Sequence, residues 1–145
     1  MKTRIISGAV LTVILVGAVL GGGTTMFILA AIITALGLYE LYKVVGIEKK
    51  ALGICGYILA ASFYTMLWFD KLQYLEYFCV ASGILTMFVY VCSFKTTRAK
   101  QAAFSLLGIY YVAIPISYIY RIRIMEKGIF IFILVFVCSW IADTF

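Results

Sequence analysis

The chain has no histidine in 145 residues. That excludes imidazole general acid–base chemistry, histidine metal ligands and Ser-His-Asp triads. Its four cysteines, Cys55, Cys79, Cys92 and Cys138, form no C-x-x-C pair and sit in apolar segments, which argues against a disulfide framework or a zinc site. Charge is scarce at 12%, about half of what a soluble domain carries. Too little polar surface remains to cover a soluble core. Alternation with period two is also missing, which excludes a transmembrane β-barrel. The single proline, Pro115, falls inside an apolar run. There it predicts a packing kink or, alternatively, a break that frees backbone carbonyls near a site.

What is present is apolar. The chain is 66% hydrophobic with a mean hydropathy of +1.13. Six runs stand out: Ile5–Leu20, Thr25–Tyr42, Ala51–Phe69, Leu75–Phe94, Ala102–Tyr120 and Gly128–Phe145. Each is close to the ~20 residues needed to cross a hydrocarbon core. A spanning segment must satisfy its own backbone hydrogen bonds, so helices are expected. The predicted fold is all-α, a polytopic membrane bundle of about six helices forming one transmembrane domain over residues 1–145. The first run has the flavour of a signal peptide, but its length and the spans after it predict an uncleaved helix.

The net charge of +6 is concentrated between the runs. Basic loops that set topology and meet lipid headgroups explain it better than nucleic acid, because no basic stretch is continuous enough to track a phosphate backbone. The positive-inside rule places the N-terminus, Lys43–Lys50 and Lys95–Lys100 in the cytoplasm, with Gly21-Gly22-Gly23-Thr24 and Asp70-Lys71 outside. Arg121 and Arg123 break the pattern: either that loop is an exception or one run is re-entrant. Thr24 or Thr25 is the expected N-cap of the second helix. Gly17 with Gly21, and Ala31 with Ala35, have the spacing of close helix packing. Tyr110, Tyr111, Tyr118 and Tyr120 read as interfacial anchors or filler.

Three sets of residues could carry chemistry. Asp143 is a carboxylate in an apolar run, and such a residue costs roughly 2.5–3.5 kcal/mol near the middle of a bilayer. Ser139 shares its helix face at i, i+4. With Thr144 these oxygens suit a hard cation such as Mg²⁺, although one carboxylate cannot make the site alone. The competing reading is a carboxylate hydrated at the membrane surface. Glu40 is either an interfacial partner of Lys43 or a site-lining acid. Lys2, Arg4 and Ser7 open the chain, as topology signals or as phosphate contacts.

Four segments resemble one family. Met1-Lys2-Thr3-Arg4-Ile5-Ile6-Ser7-Gly8, Leu38-Tyr39-Glu40-Leu41, Tyr111-Val112-Ala113-Ile114-Pro115 and Trp140-Ile141-Ala142-Asp143-Thr144 are similar, in order and approximate spacing, to segments of bacterial phosphatidate cytidylyltransferases, the CDP-diacylglycerol synthases. The last resembles the family's W-x-x-D-T motif. The resemblance implies cytidylyl transfer from CTP to phosphatidate in the inner membrane, with Mg²⁺ as cofactor and Asp143 as a metal ligand. Ser139, Thr144 and Glu40 are candidate site-lining residues. CTP, phosphatidate and membrane lipids are the implied partners, and homodimerisation stays open. The family's diagnostic second half, which carries further metal and nucleotide ligands, has no counterpart here. The expectation is therefore an N-terminal half, inactive alone. Two alternatives stand: a CTP-dependent membrane lipid kinase of the polyprenol or phytol kinase kind, and a small non-enzymatic membrane protein.

Overall fold

The fold is taken from a computed structural model. It describes residues 17, 18 and 21–144, with side chains for all of these except 136, 139, 140 and 142–144. The run Ile5–Leu20, apart from residues 17 and 18, therefore lies outside the described residues, as do Lys2, Arg4 and Ser7.

Among the described residues the chain is helical and has no strand. Helix α1 is Gly23–Val45 and α2 is Ala51–Trp68; a short 3₁₀ turn, Leu72–Tyr74, leads into α3, Leu75–Cys92. Helix α4, Ala99–Leu107, passes through a π-helical turn, Gly108–Ala113, into α5, Ile114–Ile124, and α6 is Gly128–Thr144. Four continuous helices are long and apolar enough to span a membrane: Gly23–Val45, Ala51–Trp68, Leu72–Cys92 and Ala99–Ile124. The protein is a helical membrane bundle. Side chains such as Ile58, Val80, Ile84, Phe88 and Phe130 are 58–69% exposed. In water that apolar surface would be costly; against lipid it is the ordinary outer face of a span.

The contacts fall into two compact units: Met1–Ala30 with Ser117–Phe145, and Ala31–Ile116. In the first, Met26 and Ala18 are buried and packed by Leu29, Ile119, Tyr120 and Phe132. Phe27 meets Tyr120 edge-on at 5.2 Å. A Cβ at Gly23 would sit 3.7 Å from Ile124, so α5 ends beside the start of α1. Arg121 and Arg123 lie inside the last turn of α5, not in a loop, where cations complement the helix dipole. They share an end with the triglycine turn, the arrangement that strict alternation demands.

In the second unit α2 is the central helix. It packs on α3, α4 and the π turn and buries Leu52, Cys55, Leu59, Ala60, Phe63, Tyr64 and Leu67. The chain leaves α1 through a Schellman turn. Gly46 takes φ +71°, its N–H donates to the Lys43 carbonyl at 3.1 Å, and Ile47 N–H donates to the Tyr42 carbonyl at 2.9 Å. Only glycine enters that conformation without strain. At the end of α2 the same pair of bonds forms, Asp70 N–H to Leu67 and Lys71 N–H to Met66, but with Asp70 at φ 54°.

Several local expectations are corrected. Thr24 and Thr25 are inside α1, and Thr25 Oγ1 donates back to the Gly21 carbonyl at 3.1 Å, so neither is an N-cap. Pro115 neither ends nor breaks its helix. The helix runs unbroken from Ala99 to Ile124, and the preceding turn widens, with Ile114 N–H donating to the Ile109 carbonyl. That five-residue spacing makes room for a ring that would otherwise crowd the carbonyl one turn back. Ala35 is exposed and Ala31 half-buried. The tight contacts fall instead on Gly56 and Gly108, because a bulky ring, Tyr42, has to fit between helices.

Candidate functional site

Asp143 and its neighbours Ser139 and Thr144 belong to the last turns of α6. Their side chains lie outside the described residues. Glu40 is exposed on α1. Lys43, expected as its partner, lies instead over the Tyr39 ring, 5.8 Å from the centroid. Among the described residues no group of three or more Asp, Glu, Cys or His could hold a metal ion. A full Mg²⁺ ligand set is not found there, and Asp143 remains a candidate ligand on the resemblance alone.

The structure does bring together two polar assemblies that the sequence did not announce. The first is buried. Tyr42 is fully buried and its hydroxyl donates to the Ser105 carbonyl at 2.9 Å. Ser105 Oγ in turn donates to the Leu52 carbonyl at 2.8 Å. These bonds tie α1 to α4 and α4 to α2. Gly56 and Gly108 form the walls on either side of the ring: a Cβ at Gly56 would overlap the Tyr42 hydroxyl, and one at Gly108 would lie 2.8 Å from it. Thr34 Oγ1 and the Tyr64 hydroxyl are 2.6 Å apart. Ser82 meets the Tyr110 hydroxyl at 2.8 Å. Hydroxyls paired across helices are a common interhelical joint in lipid, where a lone polar group is costly.

The second assembly joins the two basic loops. Lys50 Nζ donates to the Thr96 carbonyl at 3.2 Å and to Gln101 Oε1 at 3.5 Å. Gln101 Nε2 donates to the Val45 carbonyl at 3.2 Å, and its Oε1 also accepts the Arg98 backbone N–H at 3.2 Å. Gln101 therefore satisfies the end of α1 and the start of α4 together. The segments Lys43–Lys50 and Lys95–Lys100 consequently share one end of this unit, as the charge pattern required. Nothing in the sequence singled out Gln101, since a lone glutamine near a helix start is ordinary.

A bundle of apolar helices of spanning length, joined by buried hydroxyls, is an integral membrane protein. Its lineage is specific: residues 2–145 match the cytidylyltransferase family. The chain belongs to that family. No curated protein and no solved structure matches it.

Proposed function

We propose that this protein serves the transfer of a cytidylyl group from CTP to phosphatidate, giving CDP-diacylglycerol and pyrophosphate. The observation that carries the reading is the family match over residues 2–145, joined to the Trp140-Ile141-Ala142-Asp143-Thr144 motif. In this reaction a phosphate oxygen of the lipid forms a bond to the α-phosphorus of CTP. The bond from that phosphorus to its bridging oxygen breaks, and pyrophosphate leaves with the electron pair. The lipid phosphate is already ionised, so a chain without histidine is no obstacle. Mg²⁺, when bound, would neutralise the gathering negative charge. Asp143 is the residue of this chain proposed to hold it. A lipid substrate accounts for the membrane bundle, and a cytosolic nucleotide requires Asp143 near the cytoplasmic face. Two features support that placement. Asp143 lies nearly the full length of α6 away from Gly128, and the Gly128 end packs on the carbonyls of Ile122 and Arg123, beside the start of α1. With the N-terminus in the cytoplasm, that start is on the outer side.

The test uses the full-length protein with phosphatidate and CTP labelled in turn at the α- and γ-phosphate. Label from the α-position in the lipid product is the expected result. Label from the γ-position would replace this reading with a lipid kinase. Asp143→Asn is expected to lower turnover by at least ~10²-fold, as removal of a key charge-stabilising group does, with unchanged yield of folded protein. Near-normal turnover would remove Asp143 from the site.

A further inference from the structure

The clasp between the two basic loops has a consequence for the surface around it. We propose that this end of the Ala31–Ile116 unit is a docking surface for anionic phospholipid headgroups, distinct from the reacting lipid.

Lys43, Lys49, Lys50, Lys95, Arg98 and Lys100 belong to two segments far apart in sequence. The bonds from Lys50 to Thr96 and Gln101, and from Gln101 to Val45, draw both segments to one place. Against these six cations stand two carboxylates, Glu40 and Glu48. The far end of the same helices holds Asp70, Lys71 and Glu76, about 27 Å away along α2 at 1.5 Å per residue. The unit is therefore strongly polarised. The clasp uses the Lys50 ammonium for structure, while Lys49, Lys95, Arg98 and Lys100 are exposed.

Three features point to a lipid phosphate as occupant. Lys43 lies 5.8 Å over the Tyr39 ring and Lys100 lies 5.9 Å over the Phe104 ring, each one helical turn away. An ammonium held over an aromatic ring at the end of a span sits at headgroup depth. Val44, beside Lys43, is 87% exposed, and Phe94, beside Lys95, is 66% exposed. Those side chains need hydrocarbon, so the cations next to them border the bilayer. Finally, the loops are held by hydrogen bonds among themselves, so the cations are gathered before any lipid arrives and less ordering is lost on binding. The proposal does not rest on the catalytic reading.

The experiment is native mass spectrometry of the detergent-purified protein, titrated with phosphatidylglycerol and, separately, phosphatidylcholine. Phosphatidylglycerol is anionic and is not the lipid the proposed reaction consumes. Each cation near an anionic surface is worth about a fivefold preference. The triple variant Lys49→Gln, Lys95→Gln, Lys100→Gln is therefore expected to lose at least ~tenfold of the preference for phosphatidylglycerol. Lys71→Gln, at the far end, is expected to keep it. On the unsubstituted protein, the preference is expected to fall with added salt, and millimolar inorganic phosphate is expected not to compete. An unchanged preference in the triple variant overturns the proposal. So does a preference insensitive to salt, which gives an answer even if that variant fails to fold. Competition by inorganic phosphate as effective as by the lipid would overturn it in favour of a soluble anion.

Discussion

Gly56→Ala tests the tightest joint in the bundle. A methyl group there would overlap the Tyr42 hydroxyl and lie 2.7 Å from its ring carbon Cζ. The ring has no retreat, because Gly108 is on its other side with a position 2.8 Å from the same hydroxyl. Moving the ring also stretches the 2.9 Å bond to the Ser105 carbonyl. Three effects compete. Alanine in place of glycine within a helix gains up to about 1 kcal/mol. Overpacking a full interior costs about 1–3 kcal/mol, and weakening the hydrogen bond costs about 0.5–1.5 kcal/mol. The losses win, and the net expectation is a destabilisation of about 1–3 kcal/mol. Reversible unfolding in mixed detergent micelles, followed by far-UV circular dichroism, measures it. Gly83→Ala on α3 is the control, since nothing lies within 4 Å of its added methyl; it should be neutral or stabilising. In a Tyr42→Phe background the Gly56→Ala penalty should shrink, because the overlapping oxygen is gone. A Gly56→Ala protein as stable as the parent would refute the wedge, and so would a penalty that Tyr42→Phe leaves unchanged.

Other perturbations follow from the same geometry. Asp70 holds the left-handed turn at φ 54°, so Asp70→Gly should stabilise by up to about 1 kcal/mol and Asp70→Val should destabilise by about 1–2 kcal/mol, read in the same unfolding assay. Gln101→Leu removes the bonds to Val45, Lys50 and Arg98, and should cost about 1–3 kcal/mol. Amide exchange of the Lys43–Lys50 and Lys95–Lys100 segments should quicken together in that variant; exchange confined to one loop would show that they are not clasped. Thr34→Val removes the 2.6 Å contact between the Thr34 and Tyr64 hydroxyls and should cost about 0.5–1.5 kcal/mol in the same assay; unchanged stability would show that this contact is not one of the joints.

Pro115 and the two arginines show how far pattern reading reaches. A proline inside an apolar run signals a disturbed helix, and one is there, but the form it takes depends on neighbours. The helix continues through the ring, with one turn widened ahead of it. Arg121 and Arg123 mark a boundary by their charge, yet they fall within the final helical turn because cations are favoured at a helix C-terminus. Of the candidate site, Asp143 is legible because a carboxylate among apolar residues is rare. Glu40 is legible as an acid but not as a partner of Lys43, whose ammonium finds the Tyr39 ring instead.

By itself the sequence determined the solvent, the class and the lineage. Apolar runs of spanning length can satisfy their backbone only as helices in lipid, and ordered motifs along the chain carry the family. Tertiary structure alone decided which residues join those helices. Tyr42, Ser105, Gly56, Gly108 and Gln101 are ordinary letters in ordinary places. Their roles exist only where a second helix brings up a wall, a carbonyl or a loop, and helix periodicity holds no information about that partner.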